Sequence, residues 1–431
     1  MKMSAIDVWK LDVGVGPAEH GVYVDGYLYL APTFRDEFWK VDPETGAILD
    51  RFRMPGHVWG APLVDGSGLY GASTGGDLIK FRHDGVVVWR VNTGLDDFIA
   101  EAVVEAWGKC LAVQYPKGIA LVDKAAGEIL WVDEWSPEAP GGQEPTFDQE
   151  TGVLWVCRPT AENGLVAYDA GGEKVHLINL PSPPTTYACP QIWSGYIVLV
   201  CRRHLVVLDR GSGRILWVRD FSTVNYGGEE QDSLSGGPRT LTHNGRVMVW
   251  TADGVFTCIS ISSGEEMWRL DFKSLGFASA ECSDPWGYAG GAAVDGVFVI
   301  LGRNNLPEDA GSPFSIDRNR LFMIDYNSGE IVYVSKPVYQ MACCCKPIVA
   351  KGKVVIGSWY KDSEERTYRN FYNCWRIVPL ESEPSESRVV LDRDYAWLGG
   401  PHHGGYSRGC LLGVKKKPAR EDAHNMACCG V

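Results

Sequence analysis

Apolar and polar residues alternate in short runs along most of the chain, and the runs come in pairs. Tyr196 to Val200 is dominated by Val, Ile and Leu, a short polar break follows, and His204 to Asp209 repeats the pattern. Runs rich in β-branched and aliphatic residues, cut by polar breaks, predict strands rather than helices. Between further pairs stand Pro43 to Gly46, Gly211 to Gly213 and Asn327 to Gly329. Glycine there supplies the positive φ that a tight hairpin needs, so each pair folds back on itself.

One phrase recurs in these hairpins: an acidic residue, Gly four places on, and an aromatic residue four places after that. It reads Asp123, Gly127, Trp131; then Asp209, Gly213, Trp217; then Asp325, Gly329, Tyr333. Weaker copies surround Gly46, Gly85, Gly172 and Gly264, and two of these keep the aromatic residue as Trp89 and Trp268. Self-similarity at a period of about 40 to 50 residues marks a stacked or closed repeat. Upstream of each phrase lies a second pair of strand-like runs, so one unit is four antiparallel strands, A to D. Such units, with an aromatic at a fixed place in strand D, predict an all-β fold, the β-propeller, in which a flat side chain fills the wedge between neighbouring sheets. Strand A begins near Glu19, Ala61, Ala102, Pro145, Pro190, Pro238, Gly291 and Pro347, which predicts eight blades.

The phrase resembles the tryptophan-docking repeat of the eight-bladed quinoprotein (PQQ-like) propellers, and the resemblance spans roughly Ile6 to Leu391. It implies a fold more than a function. That superfamily includes quinone-dependent dehydrogenases, bacterial outer-membrane assembly scaffolds and enzymes that use no quinone.

Ring closure has two candidates. Ile6 to Asp12 reads as a strand D without a blade of its own, which would complete blade 8, and Ser387 to Leu391 is the competing latch. With the N-terminal strand in place, the expected organisation is one propeller over residues 1–412, with 397–412 as an appendage. A basic, cysteine-containing tail over 413–431 is expected to be disordered.

Composition narrows the function classes. The chain has 431 residues, 45% of them apolar, enough for a full core. The repeat argues for one toroidal domain where length alone suggests two or three. No apolar run reaches the length of a membrane span, and the N-terminal stretch lacks the apolar core and cleavage site of a signal peptide. The expectation is a cytoplasmic protein, which lowers the weight of the exported dehydrogenases and assembly scaffolds. A formal charge of −13 argues against nucleic acid as a partner, because phosphate binding needs a basic surface.

In propellers, residues just before strand A and the loops joining strands B and C usually line the ligand end of the channel. Those positions hold His57 and Trp59, Asp97 and Glu101, Glu144, Tyr187 and Cys189, and Asp232 and Ser235. In the last two blades they hold Asp284, Trp286 and Tyr288, then Cys343, Cys344 and Cys345. Symmetry breaks most in blades 7 and 8, where the B-to-C connections swell to 304–317 and 361–370 and a long approach precedes blade 7. Gly400 to Tyr406, with His402 and His403, returns near the same sector.

Thiols and imidazoles together are the ligand set preferred by zinc and Cu(I). Adjacent residues of a strand face opposite ways, so a metal would need Cys343 and Cys345 from one face with His57, His402 or His403 from elsewhere. The cysteine triplet has two other readings, plain packing and a vicinal disulfide of the kind also found in quinoprotein dehydrogenases. Cys110, Cys157, Cys201 and Cys258 lie in strand-like runs and are expected to be structural. At the C-terminus, Cys428 and Cys429 follow Lys415 to Lys417, which resembles a lipidation signal but equally suits a disordered end or thiols donated to the channel mouth.

The expected function is a cytoplasmic enzyme acting on a small molecule in a funnel near blades 7 and 8. Cys343 to Cys345, Asp284, Tyr288 and Glu144 are its candidate catalytic groups, and Trp286 is a candidate cofactor platform. A transition metal, copper or zinc, is the cofactor that thiols and imidazoles would take. One alternative is a non-catalytic scaffold for a protein partner, with an exposed apolar or aromatic patch on a rim to which Trp107, Trp135 and Trp397 could contribute. The resemblance adds a PQQ- and calcium-dependent dehydrogenase, for which Glu144, Asp284 and Trp286 have suitable chemical types.

Overall fold

The computed structural model describes residues 3–14, 18–33, 35–95, 102–135, 144–185, 189–221, 223–226, 229–234, 240–251, 254–272, 274–275, 291–294, 296–303, 319–335, 340–341, 347–361 and 368–379. Among these residues every regular element is a strand, so no helix is long and apolar enough to cross a membrane.

Eight antiparallel sheets of four main strands follow one another around a ring. Blades 1 to 4 run from Ala18 to Arg53, Leu63 to Asn92, Val104 to Glu134 and Thr146 to Ile178. Blades 5 to 7 run from Gln191 to Asp220, Thr240 to Asp271 and Ala292 to Val334. Blade 8 takes Ile348–Ala350, Lys353–Lys361 and Tyr368–Pro379, and its fourth strand is Met3–Gly14, which pairs antiparallel with Tyr368–Pro379. The two-residue strand Gln340–Met341 adds to this sheet beside Lys353–Lys361. Strand A of one blade touches strand A of the next at the junctions 1–2, 3–4, 5–6, 6–7, 7–8 and 8–1, which places the A strands innermost.

Strands B and C are buried almost throughout, as in Cys110–Tyr115 and Gly118–Asp123. They bury two faces because each sheet is sandwiched between neighbours. Leu154, Val156, Val166 and Tyr168 of blade 4 meet Ala112, Ile119 and Leu121 of blade 3, while Trp155, Cys157 and Leu165 on the opposite face meet Ile197, Leu199 and Cys201 of blade 5. A fully buried side chain of this kind contributes roughly 1.5–3 kcal/mol, so the ring is held mainly by these wedges.

The recurring phrase is the clip between wedges. Its acidic residue accepts backbone hydrogen bonds two and three residues on: Asp123 from Ala125 and Ala126 at 2.9 and 2.7 Å, and Asp325 from Asn327 and Ser328, both at 2.9 Å. This Asx turn hands the chain to a glycine with φ near +70°, as at Gly127 and Gly329. The aromatic residue of the preceding blade lies against that glycine, and its indole N–H donates to the carbonyl just after the acidic position. Trp89 reaches Lys124 O at 3.3 Å, Trp217 reaches Ile261 O at 3.0 Å and Trp268 reaches Tyr326 O at 3.1 Å. A Cβ at Gly127 would stand 2.6 Å from the Trp89 ring, so glycine is required by sterics as well as by φ. Blade 4 departs from the pattern: His176 occupies the tryptophan position and stacks on Trp155 at 5.6 Å.

Candidate functional site

Three surfaces of the ring carry chemistry: the end formed by the B-to-C loops and strand-A approaches, the opposite end formed by the A-to-B and C-to-D turns, and the outer rim.

At the first end, the residue leaving strand D is tied to the B-to-C loop of its own blade. Met54 N donates to Asp36 O, Thr93 N to Gly76 O, Trp135 N to Lys117 O, Leu180 N to Ala161 O and Phe221 N to Arg203 O. These ties hold the start of each approach against the B-to-C loop. His57 is exposed beside the blade 2 loop, its carbonyl accepting from Thr74 N at 2.8 Å, and neighbouring Val58 N donates to Arg35 O of blade 1. Trp59 is fully buried. Glu144 is half-buried two residues before the inner strand Thr146–Asp148. His57 and Glu144 therefore stand on the approaches to blades 2 and 4. Cys343, Cys344, Cys345, Asp284, Trp286, Tyr288, His402 and His403 lie outside the described residues, as do Asp97, Glu101, Tyr187 and Ser235, Trp397, the latch at Ser387 and the tail. Among the described residues no group of three His, Cys, Asp or Glu side chains is placed to hold a metal ion.

Three thiols named from the sequence come together at this end, which the sequence itself did not show. Cys157 ends the B strand of blade 4, Cys201 follows the B strand of blade 5, and the two share one apolar cluster, while Cys189 sits just before strand A of blade 5, 3.2 Å from Thr146 Oγ1. Burial pushes the Cys157 thiol well above its usual range, with the neighbouring Cys189 and Cys201 sulfurs adding to the effect. Burial also pushes Cys201 up to about 12. Such thiols stay protonated at neutral pH and behave as apolar side chains.

The opposite end holds a cavity of about 300 Å³ between blades 6 and 7. Its polar wall is His243, Asn244, Arg246, Tyr326 and Asn327, and its floor is Ala293, Val294 and Val297. The turns dictate this wall: Asn244, with φ near +48°, and Gly245 form the two-residue hairpin between His243 and Arg246. Arg246 Nη1 donates to Tyr326 O at 3.1 Å and Asn327 Oδ1 at 3.0 Å, and its guanidinium lies over the Tyr326 ring. The Tyr326 hydroxyl donates to His243 O, and burial raises its pKa. Tyr326 and Asn327 lie inside the recurring phrase, but nothing in the sequence joined them to His243 and Arg246, since these turns are about 80 residues apart and are brought together only by blade packing.

The rim is the third surface. Ten of the sixteen large apolar side chains exposed among the described residues lie in or beside the outer strands of blades 2 to 5: Val86, Val87 and Val88; Ile129, Leu130 and Val132; Val175 and Leu177; Leu216 and Val218. Trp107 and Trp135 are not part of this patch. Trp107 donates to Gly152 O at 2.9 Å, and Trp135 donates to Pro116 O at 2.9 Å beneath Arg158, so both fill gaps.

The family described as outer membrane protein assembly factor BamB matches the chain over residues 6–182 and 201–284. The chain belongs to this family of PQQ-like propellers. Solved structures agree at the level of fold. BamB from Moraxella catarrhalis is 12% identical, with 86% of this chain and 100% of that one covered and a TM-score of 0.59. Quinohemoprotein alcohol dehydrogenase from Comamonas testosteroni is 14% identical, with 89% and 78% covered and a TM-score of 0.59. The computationally designed Ika8 protein is 12% identical, with 85% and 99% covered and a TM-score of 0.57. No curated protein matches the chain. An assembly factor, a dehydrogenase and a designed protein thus share the architecture, so function has to be argued from surfaces.

Proposed function

We propose that the chain is a protein-binding scaffold whose docking surface is the outer rim of blades 2 to 5. The observation that carries this reading is the run of exposed branched side chains on four successive outer strands. Each of these sheets ends on that strand, which leaves one hydrogen-bonding edge of the sheet open among the described residues. An open edge flanked by Val, Ile and Leu suits an extended apolar segment of another protein, added as a further strand. Main-chain hydrogen bonds would hold the segment, and the exposed side chains would select apolar residues at alternate positions. Membership of the assembly-factor family supports a scaffold role.

The test is a Leu130→Lys, Val132→Lys double variant of the full chain. A genuine partner, once identified, loses at least about tenfold in affinity for this variant while circular dichroism is unchanged, and protects the Ile129–Glu134 amides from hydrogen exchange when bound to the native chain. A partner that binds the variant equally well, or protects only another surface, sinks the reading.

A second reading, a small-molecule enzyme at the funnel of blades 7 and 8, rests on the segment 304–318 between strands B and C of blade 7, longer than the segments of two to seven residues in blades 1 to 6. The expected swelling at 361–370 in blade 8 is not found: Lys353–Lys361 and Tyr368–Pro379 extend into it and leave only 362–367 between them, fewer residues than 158–164 in blade 4. Cys343, Cys344 and Cys345 are its candidate reactive groups, with His57, His402 and His403 as candidate metal ligands. Elemental analysis and an absorbance spectrum of the purified chain test the metal and quinone forms of this reading. Unchanged turnover of a substrate after Cys→Ala at all three positions excludes the thiol role.

A further inference from the structure

At the cavity between blades 6 and 7 the ring before the A-to-B turn is an imidazole, where the preceding blade has an indole. In blade 5 the residue before the A-to-B turn is Trp193, and its indole nitrogen stands 3.5 Å from the Cβ position of Gly245 in the next blade's turn. In blade 6 the same place is held by His243, and the Cβ position of the corresponding next-blade glycine, Gly296, has nothing within 4 Å, as is also true of Gly108, Gly152 and Gly195 in other turns. The smaller ring leans edge-on against Tyr326, at 5.2 Å between centroids, and leaves the notch open.

What lines the notch is selective. Arg246 spends only Nη1 on its two described bonds, so Nε and Nη2 keep donors for a further acceptor. His243, Asn244 and Asn327 border the same space, and Val294 and Val297 line its apolar part. A planar guanidinium fork beside amide and imidazole groups matches a carboxylate, and the floor matches a short hydrocarbon end. The volume lies at the small end of the range used for small molecules.

We infer that this notch is a binding site for a small organic carboxylate, gripped by Arg246 with its apolar end on Val294 and Val297. The site lies at the end of the ring opposite the B-to-C loops and is independent of the rim.

Saturation-transfer NMR of the full chain with butyrate, and with inorganic phosphate as competitor, tests it. Two variants accompany the native chain: Arg246→Gln, which removes the fork, and His243→Trp, which fills the notch as Trp193 fills its own. The expected result is saturable butyrate binding to the native chain, weakened about tenfold or more in both variants while circular dichroism is unchanged. His243→Trp keeps the test decisive if Arg246→Gln disturbs the fold. Absence of saturable binding, butyrate binding that survives His243→Trp, or binding of phosphate alone overturns the assignment.

Discussion

Trp9 and Gly46 close the ring. Trp9 belongs to the strand Met3–Gly14, the outer strand of blade 8, and its indole N–H donates to Pro43 O in blade 1 at 2.9 Å. A Cβ at Gly46 would stand 2.8 Å from the ring of Trp9, and Gly46 has φ +72°. The contact repeats the clip found between other blades, but here it joins the two ends of the repeat.

Gly46→Ala is therefore expected to destabilise the protein by on the order of 2–3 kcal/mol, from left-handed strain and overpacking together. Trp9→Ala should cost about as much, through lost indole burial. Denaturant unfolding checks both, and a shift below about 0.5 kcal/mol at either position would show that the ring does not depend on this clip.

Deleting residues 1–14 should have a larger effect than either substitution. Met3, Ala5 and Val13 are buried in the clusters that seal blade 8, and the deletion also strips the edge of Tyr368–Pro379. The expected outcome is a lower melting temperature with loss of a single cooperative transition, partly restored by adding a synthetic peptide of residues 1–14. A truncated chain that melts like the native one contradicts the pairing.

Asp148 gives a pH dependence with a definite sign. Burial acts to raise its pKa, but hydrogen bonds from Arg210, Thr151 and Glu150 outweigh this and hold it near 2, below the ordinary 3.8. A depressed folded-state pKa gives stability that is present above the unfolded value and lost as pH falls through the folded one. The contribution, on the order of 2 kcal/mol, should therefore be present at pH 5 and fade between about pH 4 and 2. Asp148→Asn should lower stability by a similar amount at pH 6 and converge on the native chain near pH 2. A gap between the two that is constant with pH would refute the ion-pair account.

The thiols should divide by accessibility. Burial pushes Cys258 up to about 11 and Cys201 and Cys374 up to about 12. With Cys157 these should resist iodoacetamide in the folded protein at pH 8, whereas half-buried Cys189 reacts first among the described cysteines. Peptide mass spectrometry before and after denaturation reads the order. Native-state labelling of Cys157 at the rate of Cys189 would mean that the blade 4–5 wedge opens.

The architecture was legible because its signals are local. An acidic residue, a glycine and a tryptophan within nine positions encode an Asx turn, a left-handed glycine and a docking ring, and each works without knowledge of the rest of the chain. The A-strand starts read from Ala61, Pro145 and Pro190 fall within two residues of Leu63, Thr146 and Gln191. The sequence did not disclose His176 in the tryptophan position of blade 4 as a stacking partner for Trp155, because that relation depends on the depth of the wedge. The strand pair Val224–Tyr226 and Glu229–Gln231, on the approach to blade 6, also escaped notice, its short polar runs lacking apolar alternation. Nor did the notch beside His243 show itself, since its lining comes from turns of two blades that are far apart in the sequence. Of the candidate site residues, His57 and Glu144 are the two among the described residues, ahead of Leu63–Asp65 and Thr146–Asp148.

Pairing Met3–Gly14 with Tyr368–Pro379 sets a timetable. During synthesis Met3–Gly14 leaves the ribosome with its partner encoded some 360 positions downstream, so it must wait, edge exposed, until nearly the entire ring has been made. Ile6, outward-facing in the finished blade, and the apolar residues waiting on its two faces, Met3 and Ala5 on one and Val13 on the other, make that interval the time when the nascent chain most needs protection from aggregation.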